Sequence, residues 1–191
     1  MFNRMFSWSF VAAACVAGSF PALSRGQEGA AQSGSAAVKV PAASLLMARQ
    51  EVGETRLDRS FKNGELSIGG KKYAAGIGTH ATSMIPLPVP EGSGSRVWKL
   101  EGACGIDDGT DGDGSVEFRV MSGSEVLWSS GVMKRGMPAK KFSVPVAENG
   151  IRHLYLMADR VENNSYDHAD WVDLVWKTGG EPQGMKRAMA T

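Results

Sequence analysis

Ser115-Val116-Glu117-Phe118-Arg119-Val120 alternates polar and apolar side chains at every step. A repeat of two puts Val116, Phe118 and Val120 on one face of an extended chain and Glu117 and Arg119 on the other, as in a strand with one buried and one wet face. The same period runs outward from this stretch in both directions. It occurs in Arg96 to Leu100, with Trp98 and Leu100 on one face, and in Phe142-Ser143-Val144-Pro145-Val146. His153-Leu154-Tyr155-Leu156-Met157 and Trp171 to Trp176 complete the set. Pro145 has no N–H to give to a ladder, which places its segment at a sheet edge. Glu65 to Tyr73 reads as a hairpin turning at Gly69-Gly70, and Val120 to Val126 as a second turning at Gly123. Beyond the N-terminal region nothing keeps a helical period over three turns. Seven to ten short strands predict an all-β fold, a β-sandwich or jelly roll.

The 191 residues suffice for one domain with appendages. Lys+Arg 21 against Asp+Glu 20 leaves a net charge of +1, without the basic face that nucleic-acid binding requires. The N-terminus is different in kind. One positive charge at Arg4 precedes an apolar run from Phe6 to Val16 that continues weakly to Leu23, the form of a secretory signal over residues 1–24. Ala22-Leu23-Ser24 fits a cleavage site, which implies a secreted or periplasmic protein. The alternative is Ala12-Ala13-Ala14-Cys15, the small residues and cysteine of an outer-membrane lipoprotein anchored through Cys15. Residues 25–41 are mostly Gly, Ala, Ser and Gln and read as a flexible linker. The folded module is expected over 42–177, with a polar, disordered tail from 178 to 191. Cys104 is then the one cysteine in the module and reads as a small buried hydrophobe.

Three segments depart from the alternation: Gly76-Ile77-Gly78-Thr79-His80-Ala81, Gly105-Ile106-Asp107-Asp108 with the acidic glycine loop after it, and Tyr166-Asp167-His168-Ala169-Asp170-Trp171 just before the last strand. A sugar site needs an apolar platform for the C–H face of a ring and directional polar groups for its hydroxyls. Trp171 beside His168 and Asp170, with Tyr166 near and Thr79 and His80 from the first segment, supplies both kinds. The alternative is that Trp171 belongs to the core and the histidines tie loops to the backbone. Gly76 and Gly78 read as positions of backbone freedom or close approach. Asp108, Asp111 and Asp113 with their glycines offer oxygens to a hard cation such as calcium, although a solvated acidic turn explains them equally. Asp173, alternating with Trp171 and Val175, is the last-strand candidate for an ion. His80, His168 and Asp170 as a metal centre, or Asp107 and Asp170 as a hydrolytic carboxylate pair, would make the chain an enzyme. No nucleophile elbow, HExxH or P-loop accompanies them, so catalysis is not expected.

Taken together, Tyr73 to Ala81, Gly105 to Asp108 ahead of Ser115-Val116-Glu117-Phe118-Arg119-Val120, and Asp167 to Trp171 resemble the NPCBM family, the "novel putative carbohydrate-binding module". The resemblance spans essentially the whole module. It implies a galactose-binding-like jelly roll, lectin-like recognition of galactose-containing glycans at loop ends and often a structural calcium ion (Ca2+). It also implies a glycoside hydrolase partner, since members are usually appended to such enzymes. No catalytic domain is visible in these residues.

Overall fold

The computed structural model describes residues 35–37, 41–91, 98–146 and 151–178. The chain divides into two compact units at Ala30, and the described residues all lie in the second. The expected signal with Cys15, the linker up to residue 34 and the tail beyond 178 fall outside them.

In chain order the elements are β1 (Ser35–Ala37), α1 (Ala42–Leu46), β2 (Arg49–Gln50), β3 (Arg56–Leu57), β4 (Leu66–Ile68), β5 (Lys71–Tyr73), β6 (Gly76–His80) and β7 (Ser83–Pro88). There follow β8 (Trp98–Ile106), β9 (Ser115–Ser122), β10 (Glu125–Lys134), β11 (Lys140–Val146), β12 (His153–Arg160) and β13 (His168–Thr178). One sheet has the order β11-β8-β13-β6-β3, with β1 also on β13, and the other the order β10-β9-β12-β7-β2. All pairings are antiparallel. The fold is the expected β-sandwich. β1 corrects the linker: Ser35–Ala37, inside the stretch read as flexible, pairs with Val175 to Lys177.

The alternation works as its period dictates. Val116, Phe118 and Val120 of β9, Phe142, Val144 and Val146 of β11, and Leu154, Leu156 and Ala158 of β12 all point into one core. Each fully buried side chain of the Val, Leu or Phe kind contributes about 1.5–3 kcal/mol. β11 is an edge strand, as Pro145 requires. The hairpin turns fall where glycines permit them, at Gly69 (φ 57°) and Gly70 (φ 79°) between β4 and β5 and at Gly123 (φ 58°) between β9 and β10. Cys104 is buried in the core, and burial pushes its thiol pKa upward.

Gly76 to His80, expected to interrupt a strand, and His168 to Asp170, expected just before one, are both within strands. Gly76 to His80 is β6 throughout, and β13 begins at His168 rather than at Trp171. The reason lies on the outer face of the first sheet. After β3 the chain turns at Asp58 (φ 54°) and doubles back over that face, with Arg59 and Ser60 lying on Gly78. The β4–β5 hairpin then covers β13 and β8, making a second small core of Leu66, Ile68, Ala103 and Val172. A Cβ at Gly78 would collide with the Arg59 and Ser60 backbone, and one at Gly105 with Ile68. These glycines admit a covering layer rather than breaking a strand.

Candidate functional site

Register brings the loops to one end. His80 at the end of β6 pairs with His168 at the start of β13, and Ile106 at the end of β8 pairs with Ala169. Ser115, the first residue of β9, pairs with Lys134, the last of β10. The β8–β9 and β12–β13 loops therefore meet there, joined by the returning segment 59–65.

The two histidines face each other with ring centroids 5.5 Å apart, and the Phe61 ring leans on both, at 4.8 Å from His80 and 4.9 Å from His168. The His80 Nδ1–H donates to the Ala81 carbonyl at 2.7 Å. Burial, followed by the charges of His80 and Lys62, lowers the His168 pKa to about 4, so this ring is neutral at pH 7. Its Nδ1 is buried without a hydrogen-bond partner. Both imidazoles show only an edge to solvent. They back the phenyl ring rather than stand free.

From Phe61 the surface continues through named contacts. Lys62 forms an ion pair with Asp111 of the β8–β9 loop, and the Tyr166 ring lies where a Cβ on Gly112 would be. Tyr166 has φ 64° and is 49% exposed, an accessible aromatic at this end. The Thr110 hydroxyl donates to the Tyr166 carbonyl at 2.8 Å, and the Ser115 amide to Asp167 Oδ1 at 2.7 Å, so the two loops are one unit.

Of the residues singled out from sequence, Tyr166, His80 and His168 gather here. Three others do not. Trp171 is fully buried, edge-on to Phe118 (5.2 Å) and Phe142 (5.7 Å), and has no free face to offer a sugar. Thr79 is buried and donates to Gln50 Oε1 at 2.6 Å. Asp170 is sealed beneath the covering layer. Strand alternation explains all three: Thr79 shares the inward face of β6 with Ile77, Trp171 takes an inward position on β13, and Asp170 takes an outward one that the returning chain closes.

The expected calcium ligands do not fit an ion as arranged. Asp108 spends both oxygens on the hairpin, Oδ1 accepting from Gly69 N (3.0 Å), Oδ2 from Gly70 N (2.8 Å) and Ser67 Oγ (2.6 Å). Asp111 is held by Lys62, and Asp113 is exposed at the loop. Asp173 sits on an irregularity of β13 at φ 52° and points to solvent. Among the described residues no three His, Cys, Asp or Glu side chains are grouped to hold a metal.

Phe61 and Lys62 were not legible beforehand. They lie in Arg59-Ser60-Phe61-Lys62-Asn63-Gly64, where the lone aromatic among polar residues is the one available sign.

An antiparallel sandwich with aromatic and polar side chains gathered at one loop end is the build of a carbohydrate-binding module, and comparison with known proteins places the chain in that class. The NPCBM/NEW2 domain model matches residues 37–176, and the chain belongs to this family. It is 82% identical over 189 residues to alpha-1,3-galactosidase B of Akkermansia muciniphila, covering 99% of this chain but 24% of that protein. It is also 34% identical over 109 residues (56% of this chain) to a putative endo-alpha-N-acetylgalactosaminidase of Renibacterium salmoninarum, covering 7% of it. The chain thus spans a quarter or less of these relatives. Among solved structures it is similar to the CBM51 of a Clostridium perfringens GH95 in complex with methyl-galactose, with TM-score 0.59, 26% identity, and coverage of 68% of this chain and 91% of that one. A CBM51 from Clostridium perfringens ZmpB in complex with GlcNAc gives TM-score 0.56 and 28% identity over 68% of this chain and 29% of that one.

Proposed function

We propose that this chain is a non-catalytic module that captures terminal galactose-type sugars at the loop end formed by Phe61, Lys62, Asp111 and Tyr166, with His80 and His168 backing the phenyl ring. The observation that carries this reading is the Phe61 ring held on two histidines and tied, through Lys62–Asp111 and Gly112, to the exposed Tyr166. Two aromatic rings supply platforms for the C–H face of a sugar, and the adjacent cation and carboxylate supply directional partners for its hydroxyls. The methyl-galactose complex of one related module and the galactosidase relative support galactose, and the GlcNAc complex of another makes GlcNAc the competing sugar to compare. Non-catalysis is supported by the burial of Asp107 and Asp170, the pair that hydrolysis would need at a surface.

Such a module would hold a glycoside hydrolase on galactose-bearing glycans, where a weak single site gains from avidity. Export through residues 1–24 belongs to the same proposal. N-terminal sequencing of the mature chain would find Arg25 first, or a lipidated Cys15 if the alternative anchor is used.

Calorimetric titration with methyl-galactoside, with and without added calcium, tests the binding. Saturable binding that Tyr166→Ala or Phe61→Ala abolishes while the fold persists is the expected result. Binding to no glycan at millimolar concentration in either condition would overturn it in favour of a structural or adhesion module.

A further inference from the structure

Asp170 has a setting that the sugar reading does not use. On β13 it is flanked by Gly78 of β6 and Gly105 of β8. The backbone of Arg59 and Ser60 closes over the first glycine and Ile68 over the second. The carboxyl group is completely removed from solvent, and neither oxygen has a hydrogen-bond partner of good geometry among the described residues, with the Ser67 amide close enough only to act on it electrostatically. No Lys or Arg among the described residues forms an ion pair with it or with Asp107. An ionised carboxylate left like this would carry the full cost of an unpaired buried charge.

Its neighbour Asp107 is also buried but has donors. Oδ2 accepts from the Ser67 amide at 3.2 Å and Oδ1 from the Gly109 amide at 3.0 Å. Of the two carboxyl groups, Asp107 is therefore the one supplied with donors, and Asp170 the one that needs a proton. With that proton Asp170 becomes the donor its site lacks, and Asp107, two residues beyond its β8 partner Gly105 and so on the same face of the sheet, is the neighbouring acceptor.

We propose that Asp170 is a neutral carboxylic acid hydrogen-bonded to the Asp107 carboxylate, and that this pair latches the β4–β5 hairpin, and with it the loop carrying Phe61 and Lys62, onto the sheet. The effect on the sugar-binding end rests on the function proposed above, whereas the proton and the latch stand independently of it. The groups facing the pair agree. Asp107 and Asp108 of the β8–β9 turn both disfavour a charge on Asp170, and the Ser67 amide of β4 is the nearby dipole that favours one. His168 lies two residues along β13, and its ring is neutral at pH 7. Burial, then the charge of Asp107 and the hydrogen bond to it, push the Asp170 pKa up to about 10. The latch also accounts for the adjacent Asp108, which closes the same hairpin at Gly69, Gly70 and Ser67.

Carbon-13 NMR of the assigned Asp170 carboxyl in the wild-type chain tests the proton without any ligand. The expected result is a neutral-acid signal that does not titrate between pH 5 and about 9; an ionised Asp170 at pH 7 overturns the proposal. Trypsin cleavage at Lys71 and Lys72, exposed on β5, tests the latch. Asp170→Ala should raise the cleavage rate at least about tenfold, and Asp170→Asn, whose amide can still donate to Asp107, should restore protection. Unchanged cleavage in Asp170→Ala, or no rescue by Asp170→Asn, overturns the latch. Should neither variant fold, protection of the wild type lost in step with ionisation of Asp170 above about pH 9 supports it, and protection unaffected by that ionisation overturns it. If the wild type bound no sugar, these readouts would be unaffected, so failure of the function and failure of the latch are separable.

Discussion

Asp170 and Trp171 are consecutive residues of one strand that enter opposite regions of the molecule. Trp171 faces inward, where edge-on contacts with Phe118 and Phe142 join the sheets through apolar packing alone. Asp170 faces outward into a layer as dry but built on polar accounting, where each carboxylate is assigned its amides and one carboxyl is left without a donor. The inner region tolerates approximate shape, because dispersion and burial are non-directional. In the outer region each missing donor or extra carbon has a local consequence, because hydrogen bonds are directional and unmet ones are costly.

Trp171→Ala strikes the inner region and should have the largest effect, about 3–5 kcal/mol of stability in chemical denaturation. A loss under 1 kcal/mol would mean that the tryptophan does not join the sheets as described. Gly78→Val attacks the outer layer by shape. Its side chain meets backbone that cannot rotate away, so about 1–3 kcal/mol should be lost together with contact between Phe61 and the histidines. Asp108→Ala removes the acceptor for two amides and a hydroxyl at a half-exposed site, which should cost about 1–2 kcal/mol and free the Gly69-Gly70 turn. Tyr166→Ala should barely change stability while removing sugar binding, since its ring rests on a loop at the surface.

Acidity acts on two groups of the outer region in opposite senses. His168 stays neutral in the fold down to about pH 4, while the unfolded chain takes up that proton near its ordinary value of about 6.5. Stability from this group is therefore complete above about pH 6.5 and is lost as pH falls towards 4. Asp170 acts in the opposite sense. Held neutral up to about pH 10, it makes the fold lose stability as pH rises from about 4 towards 10. Asp170→Asn should remove the alkaline slope and leave the acidic one, as melting temperatures across pH 4–9 would show.

The sandwich was legible in the sequence because period two is a local property. Val116, Phe118 and Val120 declare their face without reference to the rest of the chain, and Pro145 declares an edge. The outer layer was not legible, because it depends on a segment returning from Asp58 to lie on glycines twenty to fifty residues away. Gly76 and Gly78 could be read as places of close approach, but nothing local said what approaches. The site was partly legible for the same reason. His80, His168 and Tyr166 sit in distinctive segments and do gather, whereas Phe61 and Lys62 arrive from a stretch with no periodic signal. Trp171 was misassigned because an aromatic beside a histidine looks alike whether it faces sugar or core; the register that decides, opposite the buried Ile77 and Cys104, is not a local property.

Pro145, exposed on β11 with Lys140 and Lys141 at the start of the strand, has a consequence for crowding. A free sheet edge is a template for another chain, and a missing N–H among charged neighbours spoils it. Copies of this module held close together on a glycan-coated surface can therefore stand side by side without zipping into one another.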